Sequence, residues 1–147
     1  MKNLILWVSL LFSLEAAGQW VQFCGSELSR IGDTLVLTLQ FDITDGFHIQ
    51  AAGMGEENVM ETELHLELPN SVRLEELEFP EPHRILLQGS TDSLQVYSGK
   101  AIFKAILISS QQEGVKLIPG QLFYQACDEK KCFYPRTLEF GVKVDLR

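Results

Sequence analysis

Between Thr34 and Ile43 the chain alternates without a slip. Leu35, Leu37, Leu39, Phe41 and Ile43 fall on one side, and Val36, Thr38, Gln40 and Asp42 on the other. A strand turns successive side chains to opposite faces, so a period of two sets one face against a core and leaves the other half-exposed. The same rhythm returns along the chain. Asp45-Gly46 marks a turn, Phe47 to Gln50 a short strand, and the polar, glycine-bearing stretch 51–60 a loop. Leu64, Leu66 and Leu68 alternate with His65 and Glu67 until Pro69-Asn70-Ser71 ends the run. Pro80 and Pro82 precede a strand near Arg84 to Leu87, and residues 89–93 are loop. Ala101, Phe103, Ala105 and Leu107 alternate with Ile102, Lys104, Ile106 and Ile108, apolar on both faces over much of the length, as in a central strand. Gln121 to Ala126 and Leu138 to Val144 supply the last two strands. Helical period is hard to find. Seven to nine short strands separated by turn signals predict an all-β chain folded as an antiparallel β-sandwich. There is no internal repeat, low-complexity tract or linker, so one domain is expected.

The first 18 residues stand apart. Lys2 precedes an eleven-residue apolar run, Leu4 to Leu14, followed by Ala16, Ala17 and Gly18. This is the n-region, h-region and cleavage-site pattern of a secretory signal peptide, and the run is well short of the roughly 20 residues a spanning helix needs. Cleavage after Gly18 leaves Gln19 as the new terminus and residues 19–147 as the domain. A lipoprotein reading is disfavoured because Cys24 follows Val21-Gln22-Phe23 rather than small residues. No later segment reaches spanning length, so an exported, soluble domain is expected, in a compartment that permits disulfides.

Charge narrows the function classes. The net charge is −8. An acidic chain has no electrostatic footprint for nucleic acid, so no nucleic-acid partner is expected. The sign is uneven: residues 19–83 hold two basic and thirteen acidic side chains, residues 84–147 nine and six. A sandwich interleaves strands from both halves, so the simplest reading is solvated strand faces.

Three cysteines are too few for a disulfide scaffold, and an odd number leaves at least one thiol without an intramolecular partner. Cys127 and Cys132 enclose Asp128-Glu129-Lys130-Lys131 between two strands. Four charges cannot be buried within a small domain's net stability, so this tip faces water and both sulfurs are expected at a rim. A bridge closing six residues restrains the unfolded chain by roughly 2 kcal/mol, whereas one from Cys24 across about a hundred residues would contribute nearly 5. The short ring is the weaker staple and the type of disulfide that exchanges with other thiols. A purely structural hairpin bridge remains the alternative. The surroundings favour exchange. Tyr124 precedes the pair and Phe133-Tyr134-Pro135 follows it, a frame able to shield the sulfurs. Lys130 and Lys131 favour a thiolate at Cys132, and Asp128 opposes one at Cys127.

The run from Gly120 through Tyr124-Gln125-Ala126-Cys127 to Cys132-Phe133-Tyr134-Pro135, with the strand 137–144 after it, resembles the active-site hairpin of the N-terminal periplasmic domain of the DsbD thiol:disulfide interchange protein. Stand-alone relatives are grouped as disulfide bond corrector domains. The resemblance extends to Trp20-Val-Gln-Phe23, to Asp45-Gly-Phe-His-Ile49 and to Val96-Tyr-Ser-Gly-Lys100. It implies an immunoglobulin-like sandwich. It also implies a cysteine pair that passes electrons from a membrane-embedded thiol reductase to exported thioredoxin-like proteins, without a cofactor. Three further expectations come with it: the mixed disulfide forms through Cys132; the segment Leu94 to Gly99 is a cap loop with Tyr97 over the sulfurs; and Phe47 and His48 flank the site. Pro135 is followed by Arg136 where the family often carries a second proline. With neither spanning segments nor a thioredoxin-like domain in the sequence, such a relay is expected to meet its donor in trans, as a monomer. The competing function class is an immunoglobulin-like binding module with a structural hairpin disulfide.

The remaining candidates point to no chemistry. His48, His65 and His83 lack metal-ligand spacing, and the glutamates of 56–81 lack the spaced Asp/Asn and Gly of a calcium loop, so no metal is expected. There is no nucleophile elbow and no glycine-rich phosphate loop. Cys24 is expected as a lone thiol, at least partly buried in a first strand, with an intermolecular disulfide or third redox thiol as the sharper alternative.

Overall fold

The computed structural model describes residues 19–111 and 113–147, so the expected signal peptide lies outside the described residues. Eleven strands follow one another: β1 (Val21–Ile31), β2 (Thr34–Ile43), β3 (His48–Gln50), β4 (Glu63–Leu66), β5 (Val72–Glu78), β6 (His83–Leu86), β7 (Ser93–Tyr97), β8 (Lys100–Ser109), β9 (Val115–Tyr124), β10 (Ala126–Cys127) and β11 (Arg136–Asp145). All pairings are antiparallel. They form one four-stranded sheet in the order β1-β2-β8-β5, a second in the order β10-β3-β7-β6 and a three-stranded sheet in the order β11-β9-β4. The fold is the expected all-β, immunoglobulin-like sandwich.

Alternation becomes packing most cleanly in β2 and β8, the two inner strands of the first sheet. Leu35, Leu37, Leu39 and Phe41 of β2, and Phe103, Ala105 and Leu107 of β8, are fully buried. Each large side chain so buried contributes about 1.5–3 kcal/mol. Phe41 is the hub of an aromatic cluster, with Phe23, Phe103 and Phe140 at centroid distances of 5.4, 5.3 and 5.3 Å. Phe140 lies on β11, so the cluster ties the first sheet to the third. Ile118 and Leu122 of β9 and Val142 and Val144 of β11 complete this core from the other side. Gly120 sits opposite Phe140 across the β9–β11 pair, and the aromatic ring occupies the space a Cβ would need.

The two outer strands of the first sheet break the rhythm. The β1 register slips between Phe23 and Gly25, and that of β5 between Leu74 and Glu76. The β1 bulge reverses the parity of the strand. Phe23 pairs with Phe41 and Leu28 with Leu37, although five residues separate Phe23 from Leu28. Cys24 is the extra residue and is exposed, contrary to the burial expected of it.

Candidate functional site

The Cys127–Cys132 loop leaves β9 through Gln125, adds the two residues of β10 to the edge of the second sheet, and returns as β11. Ala126 pairs with Ile49 and Cys127 with His48. The two cysteines face each other as a bridge pair and are joined by a disulfide. The charged tip holds itself together. Asp128 N–H donates to Lys131 O at 2.9 Å, and the Asp128 carboxylate accepts from the amides of Lys130 and Lys131, both at 2.8 Å. Those amides hold the Asp128 carboxyl below its usual range. Phe133 N–H donates to Ala126 O and the Gln125 side chain to Phe133 O. Gln88 N–H, on the β6–β7 loop, donates to Glu129 O at 2.9 Å, so this loop closes against the tip.

The two sulfurs are not equivalent. Cys127 is 0% exposed, whereas Cys132 is half-buried. The tip faces water as expected, but the expectation that both sulfurs sit at the rim holds for Cys132 alone: β10 pairing carries Cys127 inward beside β3. A cavity of about 350 Å³ opens on the Cys132 side, lined by Gln125, Lys131, Cys132, Phe133 and Tyr134. The Lys131 ammonium lies 4.9 Å from the Phe133 ring centroid.

An aromatic group borders this side. Trp20 stacks with Phe47 at 5.5 Å and contacts Phe133 at 4.6 Å, and the Arg136 guanidinium lies 4.6 Å from the Trp20 ring. Phe47 also lies 5.9 Å from the ring of Phe133, the residue beside Cys132. His48 is buried across from Cys127, with Nε2 lacking a hydrogen-bond partner among the described residues. Burial, and then His83, lower its pKa, while Asp128 and Glu129 pull the other way. Tyr124 is fully buried, and burial raises its phenol pKa. Tyr134 is 91% exposed, and Pro135 is half-buried between it and β11.

Tyr97 departs from its expected surroundings. Residues 93–97 are strand β7 rather than a cap loop, because Ile49 and Gln50 pair with Tyr97 and Val96. The Tyr97 side chain is buried and its hydroxyl accepts from Ala52 N–H at 3.1 Å. The loop that touches the cysteine tip is the one before it, through Gln88.

Gln50, at the end of β3, was not among the residues expected at the site. Its side-chain Nε2 donates to Cys127 Sγ at 3.1 Å and lies 3.8 Å from Cys132 Sγ. Sequence carried no signal for it. A polar residue at the end of a short strand, next to a glycine-bearing loop, reads as exposed, whereas all three residues of β3 are buried. Among the described residues no group of three His, Cys, Asp or Glu side chains could hold a metal ion, and no helix is long and apolar enough to cross a membrane.

The family model described as Thiol:disulfide interchange protein DsbD, N-terminal, matches residues 26–143. The N-terminal periplasmic domain of ScsB from Proteus mirabilis superposes with a TM-score of 0.55 at 15% identity, over 82% of this chain and 44% of that one. The Neisseria meningitidis DsbD n-terminal domain in the reduced form superposes with a TM-score of 0.50 at 19% identity, over 84% of this chain and 86% of that one. This chain thus spans less than half the length of the ScsB chain, and at such identities the likeness is one of fold. No curated protein matches the chain. The family match spans more than three-quarters of the chain and both cysteines of the disulfide, and on that ground the chain belongs to the family of DsbD N-terminal domains.

Proposed function

We propose that this domain is an exported electron relay. Its Cys127–Cys132 pair cycles between dithiol and disulfide, accepting electrons from a membrane-embedded thiol reductase and passing them to thioredoxin-like proteins. The observation that carries the reading is the asymmetry of the disulfide, one sulfur buried and the other beside an open cavity. A partner thiolate needs one accessible sulfur, and the buried one is protected from indiscriminate exchange. Cys132 is accordingly the residue that forms the mixed disulfide. Tyr134, Pro135 and the Phe47–Phe133–Trp20 group frame the approach, while His48, Tyr97 and Tyr124 support it from beneath. The periplasm of a cell with an envelope reductase is the compartment that fits, reached through the signal peptide of residues 1–18, with the domain working as a monomer. A purely structural bridge is the weaker reading, because the hydrogen bonds of Asp128, Phe133 and Gln125 already hold the tip.

The test is a mixed-disulfide trap on the Cys127→Ser variant, presented with a thioredoxin-like domain that keeps only its attacking cysteine, activated as a thionitrobenzoate mixed disulfide so that the leaving thiolate departs and no second partner cysteine reverses the linkage. The Cys132 thiol is expected to form a stable linkage that mass spectrometry places at Cys132. Linkage only through Cys24 overturns the role of Cys132. A reduction potential for the pair far below about −300 mV, beyond thioredoxin-like donors, overturns the relay itself.

A further inference from the structure

We propose that Gln50 is a catalytic residue of this exchange: its side-chain amide donates a hydrogen bond to Cys127 Sγ and stabilises the thiolate that Cys127 becomes when the disulfide opens. The inference rests on the relay reading for its biological use and on geometry for its chemistry. The backbone that carries the side chain is held on both sides, while the side-chain Oε1 is buried without a hydrogen-bond partner among the described residues, so the amide's bonds are those to sulfur. Gln50 N–H donates to Gln125 O at 3.3 Å, and Gln50 O accepts from Thr62 N–H at 3.3 Å and Thr62 Oγ1 at 2.6 Å. Gln50 is 1% exposed, so water does not compete for its amide. The donor is aimed unequally, 3.1 Å from Cys127 Sγ and 3.8 Å from Cys132 Sγ.

That inequality assigns the two sulfurs different parts. A partner thiolate attacks Cys132 Sγ at the rim, forming the intermolecular S–S bond. The Cys127–Cys132 bond breaks, and its electron pair goes to Cys127 Sγ as a thiolate. In the reverse direction the same thiolate attacks Cys132 Sγ of the mixed disulfide and releases the partner's sulfur. Both directions share one transition state, in which Cys127 Sγ carries part of the charge that it holds in full as the free thiolate, so the donor favours opening of the disulfide over its re-formation. A hydrogen bond to a charged group is worth more than one to a neutral group, so the Gln50 donor acts chiefly where that charge develops. The other titratable groups around Cys127 are His48 across the β3–β10 pair and Asp128, Glu129, Lys130 and Lys131 of the tip. Among the described residues none of these donates to Cys127 Sγ.

The experiment compares wild type with Gln50→Met, which keeps the volume and removes the donor, and Gln50→Glu, which places a carboxylate there, all in a Cys24→Ser background. Reduction by dithiothreitol is timed at matched thiolate concentration, and melting curves establish that each variant is folded. Gln50→Met is expected to react about tenfold more slowly, equivalent to ~1.4 kcal/mol, and Gln50→Glu more slowly still. Adding Cys132→Ser isolates Cys127, whose thiolate absorbance should then appear about one pH unit higher with Met at position 50 than with Gln. Rates within twofold of wild type in either folded variant, or an unchanged midpoint, overturn the proposal. A merely structural Gln50 would alter melting without ordering the rates Gln, Met, Glu. If wild type fails to exchange with thioredoxin-like proteins while this order persists, the relay falls and the role of Gln50 stands.

Discussion

A relay domain must survive its own reduction, and the size of the disulfide loop says that this one does. The bridge closes a sequence separation of five, and a loop of six residues restrains the unfolded chain by about 2 kcal/mol at 25 °C. A domain of roughly 130 residues has a net stability of about 6–20 kcal/mol, so losing the bridge leaves it folded. With a melting entropy of about 2.1 cal/mol/K per residue, roughly 0.27 kcal/mol/K in all, the expected fall in Tm is about 8 °C. The tip should keep its shape meanwhile, since the amides of Lys130 and Lys131 remain on the Asp128 carboxylate and Phe133 N–H on Ala126 O. The assay is a pair of calorimetric melts, oxidised and with excess dithiothreitol, beside amide-exchange protection of β9 to β11. Unfolding on reduction, or a fall greater than about 20 °C, would refute the reasoning and make the disulfide a staple of the fold.

Two further outcomes test the packing and the electrostatics. Gly120→Ala drives a methyl group into the Phe140 ring across the β9–β11 pair and should cost about 1–3 kcal/mol, read by denaturant titration; a neutral result would mean that the ring is free to move aside. His48 has a lowered pKa in the folded state, so the unfolded chain takes up this proton first. Its contribution to stability is complete well above the ordinary value of 6.5 and is lost as pH falls through the folded-state value. Tm should therefore decline over that acidic window, and less so in His48→Gln, in which Asp128, Glu129 and His83 still face the site. Identical slopes in the two proteins would sink the assignment.

What could be read in advance followed the regularity of each strand. β2 alternates cleanly, and the 101–108 core of β8 is a continuous, mostly apolar run, so both strands are legible in the sequence; in the structure each buries one unbroken row of side chains. A first strand is expected at Cys24 without bounds and β5 is not expected at all, because a bulge shifts the parity of each within its length and their apolar residues fall at odd spacings. β3 was placed correctly, yet its environment was not. A strand buried on both faces gives a glutamine no polar side to occupy, and only the tertiary pairing with β7 and β10 shows that Gln50 meets a sulfur. The cysteine pair itself was legible from four intervening charges, which dictate an exposed tip. That one sulfur lies inside could not be seen, since it depends on two residues of edge pairing with His48 and Ile49. The same bulge in β1 turns Cys24 outward.

The bulges in β1 and β5 have a consequence for how copies of this domain meet. These are the two outermost strands of the first sheet, β1-β2-β8-β5, and a bulge twists a free edge so that another extended chain cannot lie along it in register. Growth of that sheet from molecule to molecule is discouraged at both borders, in a domain whose proposed work requires repeated close encounters with other proteins. In the proposed relay such encounters fall to the loops around Cys132, where contact between side chains can end once electrons have passed.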